Sequence, residues 1–391
     1  MSTTQLILAT FFLAWSGLAV ASTPSPVGTK QAWQSESGAW KGQVKSKATV
    51  VVMDADADPR IVWSVGTEAK LACTIYSEPV DPAQFLLDWT GDILSRKSAL
   101  TKQSFNSVSA GELHGFPYLS LSTDYIEGKA RLMKTYLIDL AAGAIACSHD
   151  EPGHGMRILG HLDYFMKHIE IPYNLTLRKT HRVFLIEIDG KPVGFEQQTV
   201  RRAPESKLMD TRRASLLIPR GPGSFIPVDK ETVETLAFNG VLLQQRMVTR
   251  SAGQTQRFEI QTKDTEAYTG TADLNGNTMP IQFKVPSHSL MGVRTASSAL
   301  AQKIAQQSER RPITLSVYNA AINQRGPTNH VATLTSKLKD GGLMLEESYG
   351  PQSRKTTRTK KGHLLTATSA LGPATMKMSR IFSKDYPRPK K

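Results

Sequence analysis

The densest group of side chains able to do chemistry is Ser148-His149-Asp150-Glu151-Pro152-Gly153-His154, followed by His161, Asp163 and His168. Four histidines in so short a span raise two chemistries: metal ligation, and acid–base hydrolysis at His149, His154 and Asp150. The spacing speaks against a compact metal site. His161 and His168 are seven residues apart, so on a helix they share a face but stand two turns apart. No metal and no cofactor is therefore expected.

Other constellations are absent or incomplete. There is no G-x-S-x-G elbow, no phosphate-cradling glycine loop and no H-E-x-x-H. Ser336-Lys337-Leu338-Lys339 matches S-x-x-K only formally, in a strand-to-turn context. The acidic run Asp54 to Asp58 lacks the sixth-position glycine and distal glutamate of a calcium loop. The chain reads as a non-enzyme, with a hydrolase near His149 and His154 as an alternative.

The two cysteines, Cys73 and Cys147, sit in apolar, strand-like surroundings. A disulfide between them is the expectation, and it would close a loop worth about 4 kcal/mol of unfolded-chain entropy. That pairing suits an oxidising compartment. Residues 1–21 agree: they hold no Asp, Glu, Lys or Arg, run apolar from Leu6 to Val20, and end in Ala19-Val20-Ala21 before a Pro-rich break. They read as a signal peptide, which predicts a periplasmic or secreted protein with no transmembrane segment.

Charge is unevenly spread. Residues 22–170 carry 14 Lys+Arg against 17 Asp+Glu, and residues 171–391 carry the remaining 34 against 17. The whole +14 excess thus belongs to the second half. Such a segregation suits a polyanionic neighbour: an anionic envelope lipid, lipopolysaccharide, an acidic polysaccharide or an acidic protein partner. Nucleic acid is not expected, because the regular aromatic interleaving of a base-stacking platform is missing. Arg354, Lys355, Arg358, Lys360 and Lys361 are the candidate contact residues.

The elements that must position these groups follow from periodicity. Residues 22–45 read as a polar leader, and 46–170 as an α+β domain. Asp81 caps and Pro82 opens a helix lined by Phe85, Leu86, Trp89, Ile93 and Leu94. A second helix covers Met156–His168. Strands surround them, and Ile171-Pro172-Tyr173-Asn174 marks a boundary. Residues 171–391 form a basic β-rich domain with Asp189-Gly190 and Asn239-Gly240 hairpin turns and one helix that starts at Ser289 or Gly292 and runs to about Gln307. The expected class is α+β: an N-terminal antiparallel sheet with two helices, then a curved antiparallel sheet or open barrel with one helix.

Gly115-Phe116-Pro117-Tyr118-Leu119-Ser120, with long paired strands and a closing Phe-bearing helix, resembles PsbP-like domains. Ile188-Asp189-Gly190-Lys191-Pro192-Val193-Gly194 and Glu234-Thr235-Leu236-Ala237-Phe238-Asn239-Gly240 make the second half similar to LolA-like β-rich periplasmic domains. They also resemble the β domains that precede some secreted transglutaminase-like proteins. These resemblances imply lipid binding or scaffolding in the cell envelope rather than catalysis, and no functional residue carries over. An envelope binding protein is the leading expectation, and an assembly or scaffold factor docking a protein partner is the alternative.

Overall fold

A computed structural model describes residues 28–46, 50–55, 58–65, 70–97, 100–150, 155–171, 178–307, 311–320 and 322–386. The signal-peptide reading, His154 and most of the 171–174 boundary lie outside the described residues.

The first half holds β1 (Thr29–Gln34), β2 (Lys41–Ser46), β3 (Val51–Ala55), β4 (Asp58–Ser64), β5 (Lys70–Tyr76), α1 (Pro82–Ser95), β6 (Leu100–Leu113), β7 (Phe116–Glu127), β8 (Lys129–Asp139), β9 (Ala144–His149) and α2 (Gly155–His168). The second begins with β10 (Arg178–Ile188), β11 (Lys191–Ala203), β12 (Lys207–Gly221), β13 (Ser224–Leu236), β14 (Leu242–Ser251), β15 (Gln254–Thr262), β16 (Ala267–Leu274) and β17 (Asn277–Lys284). It continues through β18 (Leu290–Met291), α3 (Val293–Gln306), β19 (Ile313–Val317), β20 (Thr328–Lys337), β21 (Leu343–Tyr349), β22 (Gln352–Arg358), β23 (Leu364–Leu371) and β24 (Ala374–Asp385).

This corrects the α+β expectation. Helix is confined to three 14-residue segments among the described residues, and sheet makes up most of the rest. The expected helices exist at 82–95 and 155–168, but they are cladding on a mostly-sheet protein. A second correction concerns residues 22–45. Residues 29–46 form the β1/β2 hairpin rather than a polar leader. Its Trp33, Trp40 and Val44 are buried in the core, and Trp33 stacks on Phe165 of α2 with centroids 5.8 Å apart. Composition misled here because a hairpin with one buried face needs few apolar residues.

The seven-stranded sheet runs β3-β4-β5-β9-β8-β7-β6 and is antiparallel throughout. Cys73 and Cys147 are directly opposed on β5 and β9, fully buried and joined as a disulfide. Both faces are covered. Ile145 and Cys147 point with Tyr136 and Ile138 into the core under α2 and the β1/β2 hairpin. Ala144 and Ala146 point the other way, and the small side chains let α1 approach closely through Ala83 and Leu86. Phe195 of β11 and Leu217 of β12 complete that second core. The two sheets are therefore packed face to face, with α1 wedged between them.

Polar contacts fix the docking. Asp139 receives Arg213 Nη1 at 2.8 Å and Gln197 Nε2 at 2.5 Å. Arg250 Nη1 donates to Asp81 at 2.8 Å. The start of α1 is capped from the other sheet: the amides of Ala83 and Gln84 donate to the two carboxylate oxygens of Asp229 at 3.0 Å each. Asp81, the expected cap, has the right backbone conformation but makes no capping bond. Its carboxylate is engaged by Arg250.

The second sheet has fifteen strands in the order β17-β16-β15-β14-β13-β12-β11-β10-β24-β23-β22-β21-β20-β19-β18. Two meanders run outward from the central β10/β24 pair. Pairing is antiparallel except at β18/β19, which α3 connects. The sheet is strongly curled. Arg294 of α3 bonds Asp210 on β12, and Ser297, one turn later, bonds Glu347 on β21. Those strands are six places apart in the sheet, about 29 Å if it lay flat at ~4.8 Å per strand. One helical turn rises only ~5.4 Å, so the strands must wrap around the helix. Val241 also bridges Met291 across the gap. The wrap stays open: the edge strands β17 and β18 are not paired to each other, so there is no closed barrel.

Candidate functional site

The curled sheet has two faces with different partners. On β11 and β12, Phe195, Gln197, Arg213 and Leu217 face the seven-stranded sheet. Their neighbours Glu196, Gln198 and Arg212 face inward, toward α3. The period-two alternation of a strand separates them. The inward face is polar, and it holds the cluster of interest.

Two carboxylates organise that cluster. Glu347 on β21 is 1% exposed and accepts from Arg358 Nε at 2.6 Å, Arg354 Nη2 at 2.8 Å and Thr356 Oγ1 at 2.9 Å. His330 Nε2 lies 3.3 Å away. Burial alone would raise its carboxyl, but the His330 hydrogen bond and the charges of Arg354 and Arg358 outweigh that and hold it well below the usual carboxylate range. Tyr349 completes the group. His330 stacks on its ring at 4.0 Å, and Arg354 lies over it at 4.9 Å.

Glu234 on β13, fully buried, is the second. It accepts from Arg212 Nη2 and Gln245 Nε2, both at 2.8 Å, and from the Val293 amide at 3.3 Å. The Val293 amide opens α3, where the helix dipole favours an anion. Burial nevertheless pushes this carboxyl up, with Arg212 pulling against it. Beside it, Asp210 takes Arg294 Nε at 2.5 Å.

Between these pairs lies a cavity of about 100 Å³, lined by Arg182, Arg212, Arg294, Arg354 and Arg358 with Glu196 as the lone carboxylate on its wall. Phe184, Leu364 and Met378 supply apolar surface. Four of the five arginines have buried acid partners; Arg182 does not. It is 3% exposed, yet its Nε and Nη2 have no hydrogen-bond partner among the described residues. Its ion-pair partner is Asp385 Oδ1 at 3.5 Å, whose side chain is 65% exposed. His363, on the same wall, is pushed down to about 4 by burial and by Arg182, so it is neutral at ordinary pH.

The five sequence-predicted contact residues are divided by the pleat. Arg354 and Arg358 turn inward onto Glu347, while Lys355 lies on the opposite, exposed face. Lys360 and Lys361 are exposed in the β22/β23 turn. The structure thus brings two of the five together. Arg182, Arg212, Arg294 and Glu347 were missed. For those on strands the signal was polar residues at period two, as in Asp210-Thr211-Arg212, which ordinarily marks a solvent face; Arg294 lies on α3 and had no such signal.

The histidine cluster is dispersed. His149 is buried on β9, with Nδ1 3.0 Å from the Lys70 carbonyl. Asp150 takes Lys97 Nζ at 2.7 Å and the Tyr125 hydroxyl. His161 faces the core, where Trp63 Nε1 donates to it at 3.4 Å and burial lowers it to about 4. Asp163 pairs with His114 at 3.1 Å. Among the described residues no group of three His, Cys, Asp or Glu could hold a metal ion.

No family model matches the chain, and no curated protein matches it either. Among solved structures it is similar to a β-barrel-like protein of domain of unknown function DUF1849 from Brucella abortus. The identity is 10% and the TM-score 0.42, over 55% of this chain and 100% of that one. It is also similar to the solution structure of cyanobacterial PsbP from Synechocystis sp. That likeness is 9% identical with a TM-score of 0.28, over 37% of this chain and 93% of that one. The resemblance is one of fold alone, weak and at low identity, and no family membership follows from it.

Proposed function

We propose that the protein is an exported binding protein that takes an anionic group of a cell-envelope component, a lipid, lipopolysaccharide or acidic polysaccharide, into the cavity under α3. The observation that carries this reading is the cavity wall, lined by five arginines of which four pair with the buried Glu347, Glu234 and Asp210 and Arg182 has only the exposed Asp385 at 3.5 Å. Buried ions are retained in proteins where they are paired, and an incompletely paired one is costly to the fold. A binding role explains the incomplete pairing at Arg182. Two further features support it. The positive excess of the chain is confined to residues 171–391, the unit that contains the cavity, and would steer anions toward it. The Cys73–Cys147 disulfide fits an oxidising compartment. Among the described residues no helix is long and apolar enough to cross a membrane.

The test is binding of the full chain to anionic lipids, lipopolysaccharide and acidic polysaccharides at low and physiological salt. Selective binding that survives physiological salt is expected of a shaped site. Binding to every polyanion at low salt and to none at physiological salt would mean that the charge is a solvated surface.

A further inference from the structure

The basic half of the chain sorts its cations by type. Arg212, Arg294, Arg354 and Arg358 hold buried carboxylates. Lysines are left at the surface, and five of them gather at one end of the curled sheet.

Two turns make that end. Leu338-Lys339-Asp340-Gly341-Gly342 joins β20 to β21, and Thr359-Lys360-Lys361-Gly362-His363 joins β22 to β23. They are built alike. The Leu338 amide donates to the Gly342 carbonyl and the Thr359 amide to the His363 carbonyl, both at 2.8 Å. The amides of Gly341 and Gly362 donate back to the Leu338 and Thr359 carbonyls at 3.0 and 2.8 Å. Both glycines sit at positive φ, 80° and 81°. Leu343 pairs with Arg358 between the turns, so they lie side by side. They also touch: a Cβ on Gly341 would stand 3.7 Å from Lys360 Cδ. The second turn is backed by α3, since a Cβ on Gly362 would stand 3.0 Å from the Ser298 carbonyl oxygen and 3.2 Å from Ala301 Cβ. Lys339, Lys360 and Lys361 project into solvent.

The end of β24 completes the patch, because Asp385 is near enough to His363 to act on its ring. Lys337, Lys339, Lys360, Lys361 and Lys384 are exposed there, against Asp340 and Asp385, which leaves a net +3. The two acids are already engaged. Asp340 accepts from the Gly342 amide at 2.9 Å, and Asp385 is 3.5 Å from Arg182. None of the five lysines makes an ion pair among the described residues.

The side chains present select the partner. Lysine is a strongly hydrated point charge on a flexible stem, without the fork that fits one oxyanion. Five of them around two turn tips suit a broad field of anionic groups rather than one shaped ligand. Apolar groups stand beside them. Met344, two residues past the first turn, is 36% exposed, and Ile381, three before Lys384, is 38% exposed. Tyr386 is half-buried, with Lys384 Nζ 5.1 Å from its ring centroid. A bilayer interface accommodates aliphatic groups, an amphipathic ring and lysines together. An acidic polysaccharide would meet only the charge.

We infer that this two-turn end of the fifteen-stranded sheet docks on an anionic lipid bilayer, with Lys339, Lys360 and Lys361 among the head groups and Met344 at their flank. His363, the last residue of the second turn, also lines the cavity under α3, so docking carries that cavity to the bilayer. The docking itself does not depend on what the cavity holds.

The test is sedimentation of the full chain with phosphatidylglycerol–phosphatidylcholine vesicles and with phosphatidylcholine vesicles, at low and physiological salt. Binding to the first kind alone, weakening as salt rises, is expected. A lysine near an anionic surface is worth about fivefold in partition, so Lys339→Gln with Lys360→Gln should lower it about 25-fold. Lys191→Gln with Arg220→Gln makes the same charge change on exposed turns at the opposite end of the strands, roughly 30 Å away and beyond the screening length. That pair should lower binding no more than about twofold. Met344→Ser should weaken binding several-fold without changing its salt slope, as an apolar contact does. Equal losses in the two double variants would mean that net charge alone is at work, and they overturn the inference. So does a chain that binds no vesicles, or one that binds the acidic polysaccharide alginate in their place. A Met344→Ser chain that binds as wild type overturns the bilayer as the partner. The cavity reading survives each of these outcomes, because soluble anions test it separately.

Discussion

Replacing Glu347 with glutamine keeps the side-chain volume and removes the charge on which the β21/β22 cluster converges. The amide nitrogen would then face guanidinium donors, so one of the contacts from Arg354 or Arg358 becomes donor against donor. Arg358 is 3% exposed in its side chain and cannot rehydrate; Arg354, at 25%, can in part. Breaking a buried ion pair by removing one partner costs about 3–5 kcal/mol. Partial rehydration of Arg354 places the expectation near the lower end, about 3 kcal/mol. The effect has a pH signature. The folded-state carboxyl lies well below its ordinary value of 4.5, so its stabilisation is complete above that value and is lost as pH falls through the folded-state one. The gap between wild type and Glu347→Gln should therefore close in acid. The measurement is urea unfolding across a pH series with two probes. All five tryptophans, the last at Trp89, precede the fifteen-stranded sheet. Fluorescence therefore reports the first half, and far-ultraviolet circular dichroism adds the second. A loss under ~1 kcal/mol at neutral pH, or a gap that persists unchanged into acid, would refute the view that this carboxylate holds the arginines.

Further outcomes follow from the same contacts. Removing the disulfide with Cys73→Ser and Cys147→Ser should cost about 4 kcal/mol in the seven-stranded sheet, read as a lower fluorescence midpoint. Asp229→Ala should cost roughly 1–2 kcal/mol as the first turn of α1 loses its cap from the other sheet. Faster hydrogen exchange at the amides of Ala83 and Gln84 would locate the loss, and unchanged exchange there would contradict the capping role. Charge reversal at Lys355, Lys360 and Lys361 should change stability by no more than about 0.5 kcal/mol, because all three are exposed. If these lysines steer anions, it should also flatten the salt dependence of association with anionic vesicles.

Local chemistry was legible where local physics decides. Asp189-Gly190 turns β10 into β11 with both residues at positive φ, which Asp and Gly tolerate. Pro82 and the apolar spacing after it define α1, which opens at Pro82 as expected and ends at Ser95, just past Leu94, the last of the expected apolar residues. Two cysteines in apolar strands met as a disulfide. The class was misjudged because α1 and α2 stand out in a sequence, whereas short strands with mixed faces do not. The β1/β2 hairpin, with tryptophans dispersed among polar residues, is the clearest case.

The candidate site is where sequence and structure part most widely. Composition alone determined that the second half is basic and that it is built of strands with alternating polarity. It could not say which face of those strands meets water. Arg354, Lys355 and Arg358 read as one basic patch, yet the pleat sends Lys355 outward and the two arginines to a buried carboxylate from another strand. Arg182, the Asp210/Arg212 pair on β12, and Glu347 are far apart in the chain and gather only because the sheet curls around α3. Curvature of that kind depends on long-range pairing, as of β10 with β24 across some 200 residues of sequence. A period-two run of charges is the same pattern whether it lines a solvent face or a cavity. Only the tertiary wrap removes the water and turns the pattern into a site.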